Sequence, residues 1–130
     1  MVSVEKNKTH VLIVEDDVFL ANIYKTKFEM EGFRVSTAEN GEAGLSDAKK
    51  KKPDIILLDI LLPKMDGFAV LEKLQTDPEV KSIPVILLTN LGQKDDVQKG
   101  LDMGAKDYLI KAHFKPSEVV TKVRSILKIN

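Results

Sequence analysis

The chain has no cysteine and no tryptophan. Without cysteine there are no disulfides, no thiolate nucleophile and no zinc–thiolate site. It also lacks a net charge: 20 basic residues stand against 20 acidic ones. That balance argues against a sequence-independent grip on nucleic acid, which needs a clustered basic face, so no direct nucleic-acid contact is expected. Aromatic residues are scarce, at 5%. No apolar run approaches the ~20 residues that a membrane helix requires, so no membrane contact is expected. The opening MVSVEKNKT has no apolar stretch of the kind that directs export. A cytoplasmic protein is expected, with residues 1–8 a loose tail and 9–128 one domain. The 43% hydrophobic content of the 130 residues is enough for a single core.

What the chain does have is short aliphatic runs that stop abruptly at polar residues. Val11–Val14 runs into Glu15, Asp16 and Asp17, and Ile55–Leu58 into Asp59. Val85–Leu88 runs into Thr89, and the short stretch Asp107–Ile110 into Lys111. Runs without polar alternation read as strands covered on both faces, as in a parallel sheet with helices on either side. Between them lie helical patterns at about 18–31, 42–51, 67–75, 94–103 and from Pro116 onward. In the first, Leu20, Ile23, Tyr24 and Phe28 are spaced for one inner face. Phe33–Ala38 completes five strands. The expected fold is α/β: a doubly wound, five-stranded parallel sheet with five helices.

Parallel strands share one carboxyl edge, where open α/β sheets bind ligands. Asp16, Asp59, Thr89 and Lys111 therefore converge there from distant points in the sequence. Two carboxylates about 5 Å apart repel by roughly 3 kcal/mol at an effective dielectric near 20. Such a cluster calls for a cation or a shared proton, and the all-oxygen donor set suits Mg²⁺. A carboxylate can be a nucleophile toward phosphorus, with an ammonium and a hydroxyl to compensate the phosphoryl oxygens. His10 and His113 lack metal-ligand spacing and read as incidental. Lys49–Lys52 read as a solvated last helical turn complementing the helix dipole.

The motifs VLIVEDD at 11–17, LLDILLPKMDG at 57–67, VILLTN at 85–90 and DYLIK at 107–111 resemble those of response-regulator receiver domains of two-component signalling. The resemblance spans about Thr9 to Leu127. It implies a flavodoxin-like sheet of order 2-1-3-4-5 and a phosphorylation-dependent switch rather than an enzyme. By the same resemblance Asp59 is the phosphoacceptor. Glu15, Asp16, Asp59 and the carbonyl of Leu61 hold Mg²⁺, Thr89 and Lys111 answer the phosphoryl group, and Thr89 with Tyr108 forms the switch. The implied partners are a histidine kinase or phosphotransfer protein and a downstream protein that the sequence does not name. The chain would be a monomer or a phosphorylation-dependent dimer through its fourth and fifth helices. A phosphorelay step, or a module of a longer regulator, is the alternative role.

Three positions depart from the family pattern. Ala112 replaces the proline that usually follows the lysine, Asn90 the small residue after the switch threonine, and Leu62 the methionine before Pro63. Without proline a cis bond costs about 2.5–4 kcal/mol, so a trans Lys111–Ala112 peptide is expected. A phosphatase of the haloacid dehalogenase type would need a second acid two residues after Asp59, where Leu61 stands. A flavodoxin would have to accept phosphate at Glu15-Asp16-Asp17, which would repel it.

Overall fold

The computed structural model describes residues 8–130, so nearly all of the expected N-terminal tail lies outside the described residues. Strands β1 (His10–Val14), β2 (Arg34–Ala38), β3 (Ile55–Leu58), β4 (Val85–Thr89) and β5 (Asp107–Ile110) alternate with five helices. These are α1 (Val18–Met30), α2 (Gly41–Lys51), α3 (Gly67–Thr76), α4 (Lys94–Asp102) and α5 (Pro116–Leu127). All pairings are parallel and the sheet order is β2-β1-β3-β4-β5, as the resemblance implied.

The unbroken aliphatic runs split between two cores, one on each face of the sheet. Leu12, Val14, Ile56, Leu58, Val85 and Leu87 pack beneath α2, α3 and α4. Val11, Ile13, Ile55, Leu57, Ile86 and Leu88 pack against α1 and α5. Alternate side chains point to opposite faces of a strand, so both faces are apolar and both are buried. Phe28 anchors the second core, edge-on to Phe33 with ring centroids 5.2 Å apart; truncating such a fully buried ring costs about 3–5 kcal/mol.

Helix ends follow local chemistry. The Asp17, Asn40 and Asp66 side chains accept hydrogen bonds from the backbone N–H groups of Leu20, Ala43 and Ala69, capping α1, α2 and α3. Gly32, just past α1, takes the left-handed conformation that closes the helix.

One expectation is corrected. Ile23 does not share the inner face of α1: Ala21, Tyr24 and Phe28 are buried, while Ile23 is 40% exposed beside the exposed Phe19 and Met30. His10, read as incidental to the chemistry, begins β1. It is buried, with Nε2 2.8 Å from the Ser36 hydroxyl and its backbone N–H donating to Asp54 Oδ2 at 2.7 Å.

Candidate functional site

The central strands end side by side, and their polar termini meet. Glu15 directly follows β1, and its backbone N–H donates to Ala38 O, so β2 pins it. Asp59 directly follows β3, with its N–H on Val14 O. Thr89 closes β4, and Lys111 follows β5. Glu15, Asp59 and Thr89 are buried, whereas Asp16 is exposed.

Lys111 Nζ donates to Asp59 Oδ2 at 2.6 Å and also to Glu15 Oε1. The other Asp59 oxygen, Oδ1, accepts from the Ile60 and Leu61 N–H groups at 2.7 and 3.2 Å. The loop that supplies those donors is closed by Gly67, whose N–H bonds to Ile60 O at 2.8 Å. A Cβ on Gly67 would stand 2.2 Å from Asp59 O, so only glycine lets the backbone close this tightly.

Oxygens of Glu15, Asp16 and Asp59 lie within 4.8 Å of one another. Three carboxylates against the single Lys111 ammonium leave a formal excess of two negative charges. Burial pushes the Glu15 carboxyl above its usual range, although Lys111 and the Asp17 N–H pull it down. Burial disfavours the Lys111 ammonium too, but its bonds to Asp59 and Glu15 outweigh that and hold the proton more tightly than usual. The excess charge, the hard oxygen donors and the exposed Asp16 fit a divalent cation that keeps some of its water. Among the described residues the Leu61 carbonyl accepts no hydrogen bond, which leaves it available as a further ligand.

Thr89 and Tyr108 are joined through one residue. The Leu91 N–H donates to Thr89 Oγ1 at 3.2 Å, and the Leu91 carbonyl accepts from the Tyr108 hydroxyl. Tyr108 lies inward, 8% exposed, and burial raises its phenol to about 12. After β5 the chain makes a 3-10 turn over Lys111–His113. No peptide among the described residues is cis, so the Lys111–Ala112 bond is trans, as expected without proline.

The structure brings Glu15, Asp16, Asp59 and Lys111 together at this edge, where β4 also ends in Thr89. It adds features that sequence patterning missed. Glu15 is a direct partner of Lys111, 96 residues away. Leu91 links the threonine to the tyrosine. Tyr24, which reads as an ordinary core position, is buried near enough to the site that Lys111, Glu15 and Asp59 all act on its phenol, although burial is the chief cause of its raised pKa. The one available signal was that tyrosine occurs only twice in the chain.

A doubly wound parallel sheet with an acidic cluster, a lysine and a buried threonine on its carboxyl edge is the arrangement of a receiver. The response regulator receiver domain model matches residues 11–124, and the chain belongs to that family.

The DNA-binding dual master transcriptional regulator RpaA of Synechocystis is 41% identical over 118 residues, which are 91% of this chain and 48% of that protein. Among solved structures, a CheY-like response regulator receiver domain protein of Methanospirillum hungatei aligns with a TM-score of 0.87 at 27% identity, covering 93% of this chain and 94% of that one. A chain of the CheX-CheY-BeF3-Mg+2 complex of Borrelia burgdorferi aligns at 0.85 and 34%, covering 92% and 89%. The chain spans about half the length of the curated relatives it matches. Because RpaA is a DNA-binding regulator, the expectation of no nucleic-acid contact is left without support. No helix among the described residues is long and apolar enough to cross a membrane.

Proposed function

We propose that this receiver is a phosphorylation switch in which Asp59 takes a phosphoryl group from a histidine kinase or phosphotransfer protein. The observation that carries the reading is the placement of Asp59: buried at the mouth of β3, 2.6 Å from an ammonium and against two further carboxylates. A carboxylate oxygen of Asp59 attacks phosphorus as the bond to the donor's imidazole nitrogen breaks. The electron pair leaves on that nitrogen, and an acyl phosphate forms. Lys111 turns from the carboxylates to the phosphoryl oxygens. Thr89 Oγ1 already accepts from Leu91 N–H, so its own proton is free to donate to the phosphoryl group. Glu15, Asp16, Asp59 and the Leu61 carbonyl would hold Mg²⁺, which supplies charge compensation on the phosphoryl oxygens. The complex that contains CheY, BeF3 and Mg+2 supports that choice of metal.

The protein is a phosphoacceptor that assists its own phosphorylation and hydrolysis, not a turnover enzyme. Residues 9–128 are the switch unit, and signalling from a histidine kinase places it in the cytoplasm. Val18, Phe19 and Ile23 are exposed at the start of α1, and Leu61 is exposed on the loop after Asp59. These exposed apolar side chains, which follow Asp16 and Asp59 in the chain, form the docking face for the phosphodonor. Output passes through the face formed by α4, β5 and α5, to a partner protein, to a second copy, or within a longer regulator of the RpaA kind, a role favoured by the half-length match.

Incubation with acetyl phosphate and Mg²⁺, read by intact mass, tests the assignment. Wild type should gain one phosphoryl group and Asp59→Asn none; equal uptake by the variant would sink it.

A further inference from the structure

Helix α4 has a single buried residue, with Val97 and Met103 packed partly buried against the core. Gly100 is its buried residue, and no side chain caps its N-terminus. Beneath Gly100 lie Leu87 and Tyr108, which are cross-strand partners in β4 and β5. A Cβ placed on Gly100 would stand 2.5 Å from Leu87 Cδ1, 3.0 Å from Tyr108 Cδ2 and 3.3 Å from Tyr108 Cε2. The Leu87 methyl has to shift to relieve the closest of these, and the ring has to give as well. Leu87 is fully buried, with core on every side. Tyr108 lies at the rim of the same core and has solvent to turn into.

We propose that Gly100 is a positioning residue for Tyr108. The missing side chain is the recess in which the tyrosine ring lies inward beneath α4, with its hydroxyl on the Leu91 carbonyl. Filling the recess drives the ring outward and breaks that hydrogen bond. Glycine in a helix interior is less stable than alanine, so α4 forgoes helix stability at its one buried position. A recess for the ring accounts for that choice. It also makes the helix and the ring depend on each other: α4 rests on the ring, and a ring that leaves removes the floor beneath the helix. Substitutions at Gly100 therefore set how much of the population holds Tyr108 inward before any phosphoryl group arrives.

The consequence for signalling rests on the reading of Tyr108 as the switch aromatic, but the position of the ring can be measured without phosphate. The chain has two tyrosines, so incorporation of 3-fluorotyrosine gives two ¹⁹F resonances, assigned by Tyr24→Phe. In the wild-type full chain the Tyr108 resonance should show the small H₂O/D₂O shift of a shielded ring. In Gly100→Ala it should move and take the larger isotope shift of an exposed ring, with Tyr24 unchanged. Gly100→Ala should also lower the melting midpoint in the wild-type background, yet leave it unchanged or raise it in a Tyr108→Ala background, where the better helix former meets no ring.

An unmoved Tyr108 resonance in Gly100→Ala overturns the proposal, as does an equal melting loss in both backgrounds. If Gly100→Ala alone does not fold, Gly100→Ala/Tyr108→Ala must fold. Failure of both assigns the glycine to Leu87 packing alone and overturns the proposal. Phosphate uptake on Asp59, measured on the same wild-type sample, separates failure of this inference from failure of the switch reading.

Discussion

Replacing Asp16 with asparagine should make the protein more stable in chelator and at the same time deprive it of stabilisation by Mg²⁺. Asp16 is exposed, and its side chain makes no hydrogen bond or ion pair among the described residues, so Asp16→Asn removes charge and little else. Its carboxylate lies within 4.8 Å of those of Glu15 and Asp59. At that distance each pair repels by about 3.5 kcal/mol at an effective dielectric of 20, or about 0.9 kcal/mol in bulk water. Exposure puts Asp16 near the lower figure. Two such repulsions, offset by one attraction to Lys111, leave a net relief of about 1 kcal/mol. For a domain of this size that is roughly 3–5 °C in Tm.

With Mg²⁺ the order should invert. A metal held only by the folded state stabilises by RT ln(1 + [L]/Kd), about 1.4 kcal/mol when free Mg²⁺ is tenfold above Kd. Wild type should rise by that amount. The variant keeps a single net negative charge in the cluster and has lost its exposed ligand, so it should rise far less. Thermal melts of both proteins in EDTA and in a Mg²⁺ series would decide the point. Equal Mg²⁺ shifts would show that Asp16 is not a ligand. A variant less stable than wild type in EDTA would show that the cluster is not governed by charge repulsion.

Three further outcomes are expected. Leu61→Asn with Leu91→Glu should shorten the lifetime of the aspartyl phosphate, because by resemblance to the family these positions, two after Asp59 and two after Thr89, border the in-line path of water, which leucine cannot orient; a radiolabel decay that matches wild type would reject that role for the two leucines. Phe19→Ala should slow phosphotransfer from a histidine kinase and leave labelling by acetyl phosphate unchanged, since Phe19 belongs to the proposed docking face and not to the acidic cluster; a loss with both donors would mean that the site itself was disturbed. The pKa of His10 is lowered from 6.5 by burial first and then by Arg34 and Lys51, against the pull of Asp54. Its neutral form therefore stabilises the fold fully above the unfolded pKa, and that contribution is lost as pH falls through the folded value. Urea unfolding at about pH 7.5 and about pH 5.5 should show wild type losing more stability than His10→Gln, and equal losses would remove His10 from the account.

Asp59, Thr89 and Lys111 were legible because each interrupts a run that is apolar on both faces, and a parallel sheet sends every such interruption to one edge. The strand boundaries were legible for the same reason. Ile23 was not, because α1 carries two overlapping apolar stripes. Tyr24 and Phe28 lie on one, Phe19, Ile23 and Met30 on the other, and helical spacing does not say which faces the sheet. The burial of His10 was not legible because it depends on register. His10 begins a strand flanked by β2 and β3 and lies opposite Arg34, a pairing that only the assembled sheet fixes. The Tyr108–Leu91 bond spans 17 residues and ends on a backbone carbonyl, a group every residue carries and no pattern marks.

That carbonyl matters to how a change at Asp59 reaches the surface. Leu91 gives its N–H to Thr89 and its C=O to Tyr108, so the two switch side chains hold one residue from either side. Thr89 is fully buried, and in the proposed switch its hydroxyl can follow a new phosphoryl group only by carrying Leu91 with it. The acceptor of the tyrosine then moves, and the ring moves with it or gives up the bond. The acidic edge cannot yield in the same way, since Glu15 and Asp59 are fixed by backbone bonds to buried neighbouring strands. Helix α4 has one buried residue and no side-chain cap, which places it among the parts of a fold that open at least cost. In the proposed switch, the strain of adding charge at Asp59 is relieved where the structure is softest, along the β4–α4 loop and α4, and the proposed output face includes that helix.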